Sequence, residues 1–510
     1  MKLNYKRTIF VGFAFFLICA FWQAYDTIIP KILTDKFGMP QSWSGVIMAI
    51  DNVLALFLLP VFGVLSDKCT SKWGRRTPFI AVGTICAAVL VLVLAFADNM
   101  QRVQLENVDP SNPNAQAELW DADLTVTDDD GNRINIQEMF TRDEFTAISV
   151  RDENGDTNSD YNNYVVPARQ AYAARVTSEN RGPLVFFIVV LILLLLSMAI
   201  FRSPAVALMP DVTIKPLRSK ANAVINLMGA AGGIIVLIMG SVIGTGKPEN
   251  AVMSYTKYFV CLSVLMLVSL FIFLWKVKEP RLTAGMREES KALGIDEGDD
   301  SDGSGDRKLT APERRSLLLI LASVVLWYFG YNAVTSKYSV YAGSVLNLDY
   351  NLTLTIATGA AIVSYIPVGF LASKIGRKKT ILIGVVILGG SFLAASFMRA
   401  GSSIVMMDIL FATAGIGWAT INVNSYPMVV ELSQGGNVGK YTGFYYTASM
   451  AAQTVTPIVS GALLDIKMTT LFPYGATFVL LAFVTMLFVK HGDNKPERRK
   501  GLENLDVEMD

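Results

Sequence analysis

Apolar stretches of about 20 residues recur along the chain, separated mostly by short polar segments. At 1.5 Å per residue, such a stretch crosses a hydrocarbon core roughly 30 Å thick. No water is available there to the backbone, so each stretch must satisfy its own hydrogen bonds as a helix. The pattern predicts helices over about 8–30, 43–66, 79–97, 183–208, 220–243 and 256–276. Six more follow at about 316–338, 352–372, 379–398, 402–425, 439–463 and 470–489. The expected architecture is an all-α membrane protein: transmembrane helices over 1–97, 183–276 and 316–489, an insert over 98–182, a linker over 277–315 and a tail over 490–510.

Composition agrees: 52% of the 510 residues are hydrophobic and 17% charged, against roughly 25% charged in soluble domains. Lys2, Lys6 and Arg7 before an apolar run resemble a secretion signal. Trp22, Gln23 and Asp26 interrupt that run, and no small-residue cleavage pattern follows, so it reads as the first span. The four cysteines, at 19, 69, 86 and 261, lie in or beside apolar stretches, which argues against a disulfide framework.

Short loops set the expected orientation. Lys68, Lys72, Arg75 and Arg76 follow the second helix; Lys215, Arg218 and Lys220 follow the fourth; Lys374, Arg377, Lys378 and Lys379 follow the eighth. With twelve spans these loops and both termini share one side, expected to be the cytoplasm, in a multi-pass protein of the cell membrane. The insert then lies outside. It carries 17 Asp/Glu against 7 Lys/Arg, a net charge of −10. Alternation in "ELWDADLTVTD" and "GNRINIQ", around a turn in "TDDDGNR", suggests a small external domain; a mostly disordered acidic loop is the other reading. "DTNSD" and "VTDDDG" hold the carboxylates a calcium ion favours, but neither fits a full calcium loop, so no metal is expected. The linker's "GIDEGDDSDGSGDRK" reads as a flexible tether between two six-helix halves.

An internal repeat supports that division. "GVLSDKCTSKWGRRTPFIAVG" follows the second helix and "GFLASKIGRKKTILIGV" the eighth, both placing Gly and basic residues before the next helix. Parallel repeats of this kind fit a 6+6 transporter.

"GVLSDKCTSKWGRRTPF" resembles the signature loop of the major facilitator superfamily. Trp73-Gly74-Arg75-Arg76-Thr77-Pro78-Phe79 is more similar to the glycoside–pentoside–hexuronide/cation symporters and the related sucrose/proton symporters. Thr77 stands where the sucrose carriers typically have a third basic residue. The resemblance covers both halves but not the insert. It implies alternating access, with a sugar or glycoside bound between the halves and H+ or Na+ as the coupling ion. It also implies a cytoplasmic gate in which Asp67 meets Arg75 and Arg76. Ser373 replaces the aspartate in the second half, so an asymmetric gate is expected. The insert departs from the family pattern and leaves room for an extracellular partner.

Ionisable groups inside spans are costly and point to function. Trp22, Gln23 and Asp26 at i, i+1 and i+4 spacing are expected to share one face of the first helix; Asp51 and Asn52 sit in the second helix. A carboxylate can bind a cation or carry a proton, and an indole offers its face to sugar C–H groups. Melibiose-type carriers use aspartates of the same two helices. From the second half come Tyr331, Asn332, Trp418 and Asn422. Arg202, near the cytoplasmic end of the fourth helix, either snorkels to the headgroups or serves the cytoplasmic gate or charge pairing. Lys337 either pairs with an acidic partner or reaches the headgroups.

The chain has no Walker phosphate loop, no HExxH pair and no nucleophile elbow, and its one histidine, His491, lies in the tail. An enzyme, a cofactor or a nucleic-acid partner is therefore not expected. Three functions remain: a cation-coupled sugar symporter, a facilitator or exporter of another small organic solute, and a surface-binding protein acting through its insert.

Overall fold

The computed structural model describes residues 3–127, 133–151, 158–214, 217–292, 309–432 and 438–492. Its first half contains helices α1 (Tyr5–Lys31, continued by a π turn, Ile32–Lys36), α2 (Gln41–Asp67), α3 (Thr77–Gln104), α4 (Gly182–Asp211), α5 (Arg218–Ile243) and α6 (Thr256–Lys276). Its second half contains α7 (Ala311–Tyr341, with a π turn, Ala342–Leu346), α8 (Tyr350–Ile375), α9 (Arg377–Ala395), α10 (Ile404–Glu431), α11 (Val438–Ile466) and α12 (Leu471–Leu487). Among the described residues, ten helices are long and apolar enough to cross a membrane.

Each half has its own apolar core. One joins residues between Val11 and Val277, the other residues between Leu317 and Val489. Within the halves, α1 packs on α5 and α3 on α4, as α7 packs on α12 and α9 on α10. Between them, α2 meets α11, α5 meets α8 and α1 meets α7.

The insert builds a third core from Leu105, Leu119, Val126, Ile136, Phe145, Tyr161 and Val165, among others. Strands β1 (Thr125–Thr127) and β2 (Arg133–Asn135) pair antiparallel, with Val126 opposite Ile134. The turn expected between them lies outside the described residues, as do most of the 126–131 calcium candidate and the first two residues of the 156–160 one. A helix over Val166–Glu179 leads into α4. Gln101 donates to Lys36 O at 2.9 Å and Thr177 Oγ1 at 3.0 Å, and Gln170 donates to Asp35 at 3.0 Å, so the insert is hydrogen-bonded to the first half. Asn347 of the second half donates to Val150 O at 3.3 Å.

Two boundaries need correction. α3 continues to Gln104, past the expected end at 97, because its polar last turns are buried under the insert: Asp98 and Gln101 are fully buried. The linker is not wholly a flexible tether: Glu279–Ala292 is helical, and Met286 packs with Leu3, Ile214 and Leu217. Residues 293–308 lie outside the described set.

Candidate functional site

α1, α2 and α4 bring Trp22, Asp26, Asp51 and Arg202 to the inner face of the first half. Trp22, Asp51 and Arg202 line one small cavity with Leu54, Leu59 and Ala199. The Arg202 guanidinium lies 5.1 Å from the Trp22 ring centroid and within electrostatic reach of both Asp51 and Asp26. Asn52 donates to Asp51 Oδ1 at 2.8 Å. Trp22 Nε1 and Tyr25 OH are buried without a protein partner. Buried donors are normally satisfied, so these two suit a bound polar solute.

Gln23 departs from the expected face. One residue turns a helix by about 100°, and Gln23 packs beside Gly233 of α5. Arg202 also requires correction as a gate residue. It sits nine residues before Asp211 on α4, about 13 Å along the axis, and its contact is with Trp22.

The second half presents an aromatic wall. Tyr331 of α7 stacks on Trp418 of α10, with centroids 3.6 Å apart and planes within 1°. Tyr328 meets the same indole edge-on at 5.2 Å. Asn422 lies beside the Tyr365 hydroxyl of α8, and Asn332 Nδ2 is buried without a partner. Tyr331 lies within electrostatic reach of Asp26 across the two halves. Tyr365, Tyr328 and its neighbour Tyr445 were not singled out from sequence. A tyrosine in a span carries no charge penalty, so only the clustering of tyrosines could have drawn attention.

At the end of the bundle that carries the chain termini, Arg76 is the hub. It pairs with Asp67, donates through Nε to Asp211 at 2.9 Å and bonds Ser66 Oγ. Arg75 also reaches Asp211, at 3.2 Å. Glu279, more than 200 residues downstream, accepts from the backbone N–H groups of Arg75 (2.7 Å), Arg76 (3.0 Å) and Thr77 (2.8 Å). Its carboxylate thus caps the start of α3, where free N–H groups and the helix dipole favour negative charge. Gly74 (φ +112°) permits the approach: a Cβ there would lie 2.2 Å from Glu279 Oε2. Losing a side-chain cap costs about 0.5–2 kcal/mol. Glu279→Gln, which keeps an acceptor but loses the charge, is therefore expected to lower thermal stability less than Glu279→Ala. Equal melting temperatures for all three proteins would contradict the cap.

Hydrogen bonds between the halves cluster at the opposite end, beside the insert. Asp465, at the foot of α11, accepts from the N–H groups of Gln41 and Ser42 at the start of α2. Lys337 of α7, fully buried, donates to Gln41 O at 2.8 Å. Lys337 therefore pairs across the halves, with Asp465 as its nearby carboxylate, and does not reach for headgroups. Thr245 contacts the Tyr350 hydroxyl at 3.0 Å and accepts from Asn351 at 3.1 Å. At Gly461 an added Cβ would come within 2.3 Å of Gln41 O, so the backbones touch. Asp465→Asn keeps the shape but weakens the charge-assisted bonds. The expected result is faster modification of a cysteine placed at Ser42 by a water-soluble maleimide; an unchanged rate would contradict the latch.

Two sequence families match the chain: "MFS/sugar transport protein" over residues 10–108 and "Major Facilitator Superfamily" over residues 346–506. Sucrose transport protein SUC4 of Arabidopsis thaliana is 40% identical over 62 residues, 12% of either chain. Sucrose transport protein SUT3 of Oryza sativa subsp. indica is 36% identical over 73 residues, 14% of either chain. The matched segments thus span only a small part of these relatives' lengths. The inward-open xylose transporter XylE from E. coli shares the fold at TM-score 0.55 and 14% identity, over 99% of both chains. A D-xylose-proton symporter does so at 0.55 and 15%, over 96% of this chain and 99% of the other. The chain is a multi-pass membrane protein with the major facilitator fold and superfamily sequence matches in both of its halves.

Proposed function

We propose that this chain is a secondary active transporter, a proton- or sodium-coupled symporter of a sugar or glycoside. In this reading the twelve helices α1–α12 all span the cell membrane, the termini are cytoplasmic and the insert is external. The observation that carries it is the facing of unlike walls across the two halves: carboxylates with an indole on one side, stacked aromatic rings with amides on the other. Asp26 and Tyr331 lie within electrostatic reach of one another across that gap. Aromatic faces suit the C–H faces of a sugar ring, and carboxylates and amides suit its hydroxyls.

Charge balance supports coupling. Asp26 and Asp51 with Arg202 leave one net negative charge in the apolar interior, which one H+ or Na+ would neutralise. A neutral sugar alone would not. A buried unbalanced charge is costly, so the reading favours one monovalent cation entering with each sugar. Resemblance to sucrose transport proteins in short segments supports the sugar class.

The test is counterflow in proteoliposomes preloaded with individual disaccharides, glycosides and monosaccharides. Transient accumulation of labelled sugar, driven by the same unlabelled sugar inside, is expected for at least one of them. Correctly inserted protein that gives no counterflow with any sugar would reject the sugar reading and leave another organic solute. No flux of any solute, with ligand binding by the insert, would favour the surface-binding reading.

A further inference from the structure

Outside the central site, the insert contains a cavity that the transport reading does not use. It opens between the Pro110–Leu119 segment, Ile148–Val150 and the π turn Tyr161–Val165, with Arg169 and Glu249 also on its lining. Its water-sized space, about 150 Å³, matches cavities that hold one benzene-sized molecule. The walls are mixed: Val108, Pro110, Leu119, Ile148 and Val165 give an apolar side, and Asn112, Gln116 and Ser149 add polar groups.

Arg169 is the basic group of the lining. Its side chain is 2% exposed. Its one described hydrogen bond is to the Tyr161 hydroxyl, at 3.2 Å from Nη1. Nε has no partner, and among the described residues no carboxylate pairs with this guanidinium. A buried arginine is ordinarily paired, because an uncompensated charge is costly. Here the missing countercharge coincides with an empty space of molecular size.

We propose that this cavity binds a small organic monocarboxylate, with Arg169 as its anchor. A guanidinium presents a planar fork that matches a carboxylate, and the apolar side takes a ring or branched chain. An inorganic anion would bury no apolar surface. The cavity also includes Val150, whose carbonyl accepts from Asn347 of the second half. A ligand there sits against the contact between the insert and that half.

Benzoate, isovalerate and acetate are the probes, with benzamide as the neutral counterpart of benzoate, titrated calorimetrically into the purified full chain. Saturable benzoate binding is expected, at least ten-fold tighter than benzamide and tighter than acetate. Arg169→Lys should weaken benzoate at least ten-fold. Ser149→Phe, which adds a bulky ring at an exposed position of the lining, should abolish binding while the melting temperature stays within a few degrees. Benzoate and benzamide binding alike would refute the charge-based anchor. No saturable binding of any of the three acids, or binding unaffected by Ser149→Phe, would overturn the site. Sulfate binding in preference to benzoate would also overturn it.

Discussion

Asp26→Asn and Asp51→Asn should each abolish uphill accumulation of sugar. At least one of them should retain counterflow, the exchange that needs no ion gradient. In the proposed charge balance, each substitution removes one negative charge from the Asp26, Asp51 and Arg202 group, so the empty site is already neutral and no longer draws in a cation. The amide still offers hydrogen bonds to a sugar hydroxyl. Accumulation ratios under an imposed proton or sodium gradient should fall to about one, as for any carrier uncoupled from a driving ion. Asp51 already accepts from Asn52 at 2.8 Å, whereas Asp26 has no hydrogen-bond partner among the described residues. Asp26→Asn should therefore cost less in stability. Loss of counterflow in both variants would make these residues sugar ligands rather than coupling groups. Wild-type accumulation in both would remove them from the mechanism.

Lys36→Met should destabilise the chain more than any other single change considered. Lys36 and Asp98 form an ion pair at 2.6 Å with both side chains fully buried. Lys36 also donates to Met253 O at 2.7 Å and lies 4.4 Å from the Tyr255 ring centroid. This cluster ties the end of α1 to α3 and to the start of α6, beneath the insert. Breaking a buried pair from one side leaves an unpaired charge and costs about 3–5 kcal/mol, whereas replacing both partners with apolar groups is often neutral. The double variant Lys36→Met/Asp98→Leu should accordingly melt well above Lys36→Met. A double variant no more stable than the single one would mean that the lysine acts through Met253 and Tyr255 rather than through Asp98.

Much of this fold was legible because lipid imposes one rule on every span. The positions of α1, α2, α4 and α12 follow from hydropathy to within a few residues. α3 ran past its expected end because Asp98 and Gln101 find buried partners in α1 and the insert, and hydropathy cannot see a partner. The same limit hid Glu279, one acid among many in the linker, whose role depends on docking against α3. Of the readings offered for Arg202, the gate role does not fit and charge pairing does, because Trp22 and the two aspartates, rather than nearness to the helix end, set its position. Asp26, Asp51, Trp22, Tyr331 and Trp418 were legible because polar or amphipathic groups in apolar helices need a reason. Tyr365, Tyr328 and Tyr445 were not, since a tyrosine there passes for ordinary packing.

The most direct test of the account is sugar uptake by the intact protein in proteoliposomes, with an inward proton gradient, an inward sodium gradient, or neither. The account predicts that a sugar active in counterflow accumulates above its external concentration under one of the two gradients, and that accumulation collapses when the corresponding ionophore is added. Equilibration to the external concentration and no further, under both gradients, would contradict coupled transport and identify a facilitator.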